Sequence, residues 1–95
     1  MFVVTLAYVA DLAEIDAAMP RHMAYLRRQY ADGVVVVSGR QVPRVGGVII
    51  ATGVTREELE RRIALDPFVA DGLAEASIVE FNASQTAPQL KGLLG

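Results

Sequence analysis

The chain has 95 residues, 53% of them hydrophobic, with 9 basic and 11 acidic residues and a formal net charge of -2 at pH 7. This length predicts one domain over residues 1–95, and the balanced charge argues against a nucleic-acid partner because it gives no general attraction for phosphate backbones. The sequence contains no cysteine, no apolar run of the roughly 18 to 20 residues that span a membrane, and no basic stretch typical of a signal peptide. We therefore expect a cytoplasmic protein with neither disulfides nor a membrane partner.

The first part of the chain predicts a strand, a connection and a helix. Residues 2–9 are rich in β-branched and aromatic side chains, which is typical of a β-strand. Residues 11–19 predict a polar and alanine-rich connection with room for one turn of helix, and Pro20 suits the first turn of the main helix, where its missing N–H would have no partner. Helical spacing then relates Met23, Leu26 and Tyr30. Gly33 ends the predicted helix because glycine tolerates the left-handed conformation.

The second part predicts three more strands and a second helix. The strands lie at residues 34–38, 48–52 and 76–81. The helix begins at Thr55, whose hydroxyl can accept from the amide of Glu58 in a capping box. Asp66 and Pro67 break this helix and start a further short turn. Residues 84–95 show no clear period and predict no element.

This order of elements predicts an α+β fold, a ferredoxin-like βαββαβ sandwich with a four-stranded antiparallel sheet and two helices on one face. An antiparallel sheet with one wet face alternates apolar and polar residues, but residues 34–37 and 48–51 are continuously apolar. Two helices cover only one face of such a sheet. We therefore predict a homodimer in which the second face packs against the sheet of another copy.

His22 is the only histidine. Its predicted place is the first turn of the first helix, four residues before Leu26, so that it points toward the sheet. The partial positive charge of a helix N-terminus disfavours an imidazolium, and a neutral imidazole there could act as a base near neutral pH. The alternative is a half-buried histidine that serves packing alone.

Asp66 has two interpretations. An aspartate before Pro67 is a common N-cap of a helical turn, which is a purely structural role. If the fold brings Asp66 close to His22, its carboxylate could instead orient the imidazole and stabilise its charged form. The spacing in the sequence does not decide between the two.

Further candidates lie at strand ends. Gly39, between Ser38 and Arg40, would let a ligand or another backbone come close, and Arg40 or Arg44 could hold a carboxylate. A strand exit with solvated arginines explains the same residues. Tyr8 either packs or lines a pocket. One histidine without cysteine leaves too few metal ligands, and no phosphate-binding glycine loop occurs, so we expect neither metal nor cofactor.

The chain resembles the YCII-related (YciI-like) family from the first strand through Phe81. The resemblance rests on Pro-Arg-His-Met-Ala-Tyr-Leu at residues 20–26, Asp-Gly at 32–33, Ser-Gly at 38–39 and Asp-Pro-Phe-Val-Ala-Asp-Gly-Leu at 66–73. It implies the dimeric α+β barrel, in which two ferredoxin-like sheets pack face to face, in agreement with the sheet pattern. Where the family often has Ala-Gly-Pro, this chain has Ser38, Gly39 and Arg40, and the following loop is short, which could change substrate choice.

The resemblance also implies a function. The family's catalytic histidine and aspartate map onto His22 and Asp66, which suggests acid–base chemistry on a small molecule. One member removes chloride from a chlorinated aromatic breakdown intermediate, and muconolactone isomerase shares the wider fold. We therefore expect a lyase-, dehydrochlorinase- or isomerase-like enzyme for a small carboxylated substrate, which is bound by Ser38, Gly39, Arg40 and Tyr8. The alternative is a non-catalytic homodimer that binds a small ligand or another protein.

Overall fold

The computed structural model describes residues 1–94, which form one sheet and the helices that cover it. The strands are β1 (Phe2–Tyr8), β2 (Val35–Arg40), β3 (Gly46–Ala51) and β4 (Ala74–Glu80). The helices are α1 (Leu12–Ala31), α2 (Arg56–Ala64) and the short α3 (Pro67–Ala70). A 3₁₀ helix, Pro88–Leu94, lies in the segment for which the sequence predicts no element.

The four strands pair in the order β2-β3-β1-β4, and every pair is antiparallel. This order confirms the predicted ferredoxin-like βαββαβ fold. The central strand β1 fixes the register, since Val4 pairs with Ile49 on β3 and with Ile78 on β4. The β2–β3 pairing is irregular between Val35 and Val37.

The core lies between the helices and one face of the sheet. Side chains alternate along β1, so that Phe2, Val4 and Leu6 are buried toward the helices. From the helices, Ile15, Ala18, Leu26, Leu59, Ile63 and Phe68 join the same cluster. Burying each large apolar side chain contributes about 1.5–3 kcal/mol, which places the main stabilisation of the sheet on this face.

The first helix is longer than predicted. The sequence predicts a helix from Pro20, but α1 begins at Leu12 and contains Pro20 inside it. A proline inside a helix removes the hydrogen bond to the carbonyl four residues earlier, here that of Asp16. Pro20 and Asp16 are both exposed, so water can hydrate the released carbonyl. The tertiary packing of the preceding turns therefore outweighs the usual position of proline in a first turn.

A buried stripe runs along the whole of α1. Its members are three or four residues apart and lie on both sides of Pro20: Ile15, Ala18, His22, Leu26 and Gln29. The opposite face carries exposed charged residues. Within residues 1–94, none of the helices has both the length and the apolar character needed to cross a membrane.

Two helix boundaries agree with the predicted capping chemistry. Gly33 has a φ of 76° and follows the end of α1. The hydroxyl of Thr55 accepts from the amide of Glu58 at 3.1 Å, which caps α2. Only this half of the expected capping box forms, because the Glu58 carboxylate accepts from Arg61 and Arg62 and not from the Thr55 amide.

Candidate active site

His22 lies near the middle of α1, and its ring points into the space between that helix and the sheet. The residue is 8% exposed, which confirms its predicted orientation toward the sheet. The prediction that it sits in the first turn is wrong, since ten helical residues precede it. The positive end of the helix is therefore too distant to act on the imidazole, because that effect falls off within the first turn.

The carboxylate of Asp66 lies beside the ring. His22 Nδ1 and Asp66 Oδ1 are 2.8 Å apart, although 44 positions separate the two residues in the chain. Asp66 is also the N-cap of α3, because the same Oδ1 accepts from the amide of Phe68 at 3.0 Å. Both interpretations of Asp66, the capping role and the contact with His22, therefore hold for one carboxylate.

Asp66 is fully buried, which makes its hydrogen bonds energetically important. Its second oxygen, Oδ2, is buried without a hydrogen-bond partner among residues 1–94. Burying a carboxylate costs several kcal/mol unless donors compensate it. The His22 ring and the Phe68 amide are the two donors, so losing either would leave the carboxylate poorly compensated.

The Asp66 contact also determines which imidazole nitrogen is available. An ionised Asp66 carboxylate only accepts hydrogen bonds, so the Nδ1–H tautomer of His22 is the one that fits this pair. The other nitrogen, Nε2, then has a free lone pair in the neutral ring. His22 lines a cavity, and Nε2, on the far side of the ring from Asp66, is the nitrogen that can accept a proton there.

Aromatic contacts hold the ring in place. His22 stacks on Phe68 with ring centroids 4.0 Å apart and an interplanar angle of 7°. Phe68 in turn meets Tyr8 edge-on, at 5.9 Å and 85°. Such contacts add to the hydrophobic packing and restrict rotation of the imidazole. Three elements, α1, α3 and β1, therefore fix the position of this ring.

Tyr25 closes the site on the α2 side. Its hydroxyl donates to the carbonyl of Arg62 at 2.8 Å. Burial raises the pKa of Tyr25, and the nearby Asp66 carboxylate raises it further, while Arg62 opposes both effects. The phenol therefore stays protonated at neutral pH and acts as a neutral wall of the site.

The cavity beside His22 has a volume of about 420 Å³ and lies between α1 and the sheet. Its lining consists of Leu6, Tyr8, Met19, His22, Met23, Leu26, Ser38, Gly39, Arg40, Gly47, Val48, Ile49 and Phe68. All four residues predicted to bind substrate, Tyr8, Ser38, Gly39 and Arg40, are among these. Asp66 does not line the cavity, because it lies behind His22.

Ser38 has a partner that no pattern in the sequence indicates. The hydroxyls of Tyr30 and Ser38 are 2.7 Å apart and either oxygen can donate. Tyr30 belongs to the last turns of α1 and Ser38 to β2, so the bond joins the helix to the sheet at the edge of the cavity. Gly39 has open space where a Cβ would lie, so packing within the chain does not require glycine there.

The two arginines considered from the sequence have different places. Arg40 lines the cavity, whereas Arg44 hydrogen-bonds to Asp16 on α1. The polar groups around the cavity are thus an imidazole, hydroxyls and a guanidinium, which suit an organic ligand with an acidic group. Within residues 1–94, no three histidine or carboxylate side chains form a group that could hold a metal ion.

Several solved structures are similar to this chain, and two of them illustrate the likeness. One is 5-chloro-2-hydroxyhydroquinone dehydrochlorinase (TftG) from Burkholderia phenoliruptrix AC1100, in complex with 2,5-dihydroxybenzoquinone. It superposes with a TM-score of 0.71 at 18% identity, over 85% of this chain and 93% of that chain. The other is a variant of SnoaB, a cofactor-independent oxygenase from Streptomyces nogalater. It has a TM-score of 0.51 at 22% identity, over 92% of this chain and 94% of that chain.

At these identities the likeness establishes the fold, and the sequence itself establishes the family. A comparison with curated proteins finds no match. The model of the YCII-related domain matches residues 1–82, which include every strand, the three α-helices and all of the residues around the cavity. The chain therefore belongs to the YCII-related family.

Proposed function

We propose that this protein is an enzyme that uses His22 as a general acid–base group on a small carboxylated substrate. The observation that carries the proposal is the buried 2.8 Å hydrogen bond between His22 Nδ1 and Asp66 Oδ1, beside a cavity that the same imidazole lines. Asp66 orients the ring, fixes its tautomer and stabilises the imidazolium that forms when Nε2 accepts a proton. This division of roles matches the second half of a catalytic triad.

The reaction class follows from having one base and few other reactive groups. His22 Nε2 removes a proton from a carbon or hydroxyl of the substrate, and the electron pair left behind forms a double bond. In a lyase or dehydrochlorinase a neighbouring leaving group departs with its own electron pair, and in an isomerase the proton returns at another atom. Assistance of this kind is worth about 10² to 10⁴ in rate, which suffices for a substrate that is already acidic.

The substrate class follows from the lining of the cavity. Most of the lining is apolar, and besides His22 and Tyr8 the polar side chains are Ser38 and Arg40 on β2. A guanidinium is a good partner for a carboxylate, and the apolar walls favour a compact ring or chain. The fold likeness to a dehydrochlorinase solved with a quinone supports a small, ring-shaped substrate of this type.

The protein acts as a homodimer in this proposal. On the face of the sheet away from the helices, a row of apolar side chains crosses all four strands: Val79, Val3, Ile50 and Val37. Val37 and Val79 are 55% and 61% exposed, so this row is open to solvent in a single chain. A second copy would bury it. Sedimentation that shows only monomers at micromolar concentration would contradict this part.

A test of the acid–base role uses the single histidine as its own reporter. The ¹⁵N chemical shifts of the imidazole distinguish the Nδ1–H from the Nε2–H tautomer. The wild type should show the Nδ1–H form in the neutral ring, and Asp66→Asn should lose that preference because an amide can donate as well as accept. Asp71→Asn, which removes an exposed carboxylate on the same segment, is the matched control.

The rival is a ligand-binding or protein-interaction module without catalysis. The observation that favours it is the N-cap, because in this case the only role of Asp66 is to cap α3. In that case Asp66→Asn should lower the melting temperature while the His22 tautomer stays as in the wild type. An unchanged tautomer would therefore overturn the acid–base proposal.

A further inference from the structure

A second charged group lies near Tyr8, one of the residues that line the cavity. Arg44, in the segment between β2 and β3, donates from its terminal nitrogen to Asp16 on α1. The hydrogen bond from Arg44 is the main cause that lowers the pKa of Asp16, and the charge of Arg40 contributes as well. One carboxylate therefore lies within the field of two guanidinium groups.

Arg44 has a donor that this arrangement does not use. Its Nε is buried, and no residue among 1–94 accepts a hydrogen bond from it. Asp16 and Tyr8 both flank the guanidinium. Protein encloses this donor, so a ligand in the cavity reaches Arg40 and not Arg44.

The charges at this end do not cancel. Arg40 and Arg44 contribute two positive charges, and Asp16 supplies one negative charge toward them. Arg40 and Tyr8 line the cavity, whereas Asp16 is 58% exposed and approaches from the helix side. The end of the cavity thus carries an excess of positive charge that a ligand can reach through Arg40.

We propose that Arg40 forms an anion subsite for the acidic group of the ligand, and that the neighbouring ion pair of Arg44 and Asp16 sets the strength of this subsite. This inference rests on the proposed function and names the part of the cavity that recognises the substrate. Asp16 weakens the subsite because its charge repels an incoming carboxylate and offsets part of the charge of Arg40. Asp16 is therefore a specificity-determining residue that sets how strongly the cavity prefers an anion over a neutral isostere.

The probe for this inference is benzoate, with benzamide as its neutral isostere. Each is titrated into the protein while the single imidazole signal of His22 is followed by NMR. The quantity of interest is the preference for benzoate, which is the dissociation constant of benzamide divided by that of benzoate. This ratio isolates the contribution of the charge. The variants are Asp16→Asn and Arg40→Gln, with Glu14→Gln as the control that removes an exposed carboxylate from the same helix.

Asp16→Asn should bind benzoate about two- to fivefold more tightly than the wild type, because it removes a solvent-screened repulsion from an exposed carboxylate. Benzamide binding should not change, and added salt should reduce the gain. Arg40→Gln should remove the preference for benzoate. Glu14→Gln should behave as the wild type.

Three results overturn the inference. They are a preference for benzoate that does not rise in Asp16→Asn, one that rises equally in Glu14→Gln, and a His22 signal that benzoate perturbs in no variant. A purely structural ion pair would show the first result together with a lower melting temperature. The acid–base role is judged by the His22 tautomer and by turnover, so failure of the subsite and failure of the proposed function appear in different experiments.

Discussion

The two ends of the cavity differ in how firmly their polar groups are held. At one end His22 and Asp66 are buried, hydrogen-bonded to each other and stacked on Phe68. At the other end Arg40 is exposed on the last residue of β2, and Arg44 pairs with a mostly exposed carboxylate. The first group is therefore fixed by the core, whereas the second is held by solvent-screened contacts.

This difference suits the two tasks that we propose for the ends. Proton transfer requires a base whose position is fixed to within a fraction of an ångström, and packing on three elements provides that. Binding an acidic group tolerates a longer and more mobile contact, which an arginine at a strand end provides. Perturbing the buried end should therefore change catalysis and stability strongly, while perturbing the arginine end should change affinity by small factors.

The largest effect is expected for His22→Asn. The asparagine amide can still donate to Asp66, so the fold should persist, but no group remains to accept a proton at the Nε2 position. Turnover should fall by about 10²- to 10⁴-fold, measured on the first small carboxylate that the wild type converts. Activity within a factor of two of the wild type would show that the buried end is not the catalytic end.

The next effect concerns the stability of the buried end. Asp66→Asn replaces an acceptor that serves two donors, and should lower the free energy of unfolding by about 1–3 kcal/mol in urea denaturation. The control is Asp71→Asn, whose salt bridge with Arg21 is exposed and should contribute less than about 1 kcal/mol. Equal losses in the two variants would contradict the contrast between buried and exposed carboxylates.

The fold could be predicted from local signals because the chain marks most of its boundaries. Gly33 and Thr55 end and begin helices as their chemistry predicts. The first half of α1 was not predicted because Pro20 suggested a helix start, although Ile15 and Ala18 continue the buried stripe in phase with His22. A stripe that spans a proline is stronger evidence for a helix than the proline is against it, provided that the proline faces water.

The contacts of the site were harder to predict because they join distant segments. His22 and Asp66 are 44 positions apart, and only the family resemblance related them before the fold was known. Phe68 lies two residues after Asp66, so the contact between His22 and Asp66 also places the Phe68 ring next to the imidazole. The pairing of Arg44 with Asp16 has no such local signal, since it depends on where the β2–β3 connection crosses α1.

A smaller effect concerns Tyr25 at alkaline pH. Its pKa is raised by burial first and by Asp66 second, so the folded state keeps the proton when the unfolded chain loses it near pH 10. This stabilisation is fully present below pH 10 and is lost as the pH rises above it. Above pH 10 the free energy of unfolding should fall with pH by less than the roughly 1.4 kcal/mol per pH unit that one proton gives, because Tyr25 is only partly buried.

The variant that tests this effect is Tyr25→Phe. Its free energy of unfolding, measured in urea, should fall less steeply with pH above 10 than that of the wild type. Tyr30→Phe removes an exposed phenol and should keep the slope of the wild type. If both variants have the same slope as the wild type, the wall formed by Tyr25 is more solvated than its hydrogen bond to the Arg62 carbonyl implies.

The smallest effect is expected at the arginine end, where Tyr30 supports Ser38. Tyr30→Phe removes the 2.7 Å contact and leaves the Ser38 hydroxyl free to rotate in the cavity. A single hydrogen bond of this kind is worth about 0.5–1.5 kcal/mol, and exposure of Tyr30 places it at the low end. The dissociation constant of benzoate should therefore rise about two- to threefold, measured through the His22 signal. Tyr25→Phe, at the other end, should leave that constant unchanged, and a larger effect from Tyr25 than from Tyr30 would reverse the assignment of the two ends.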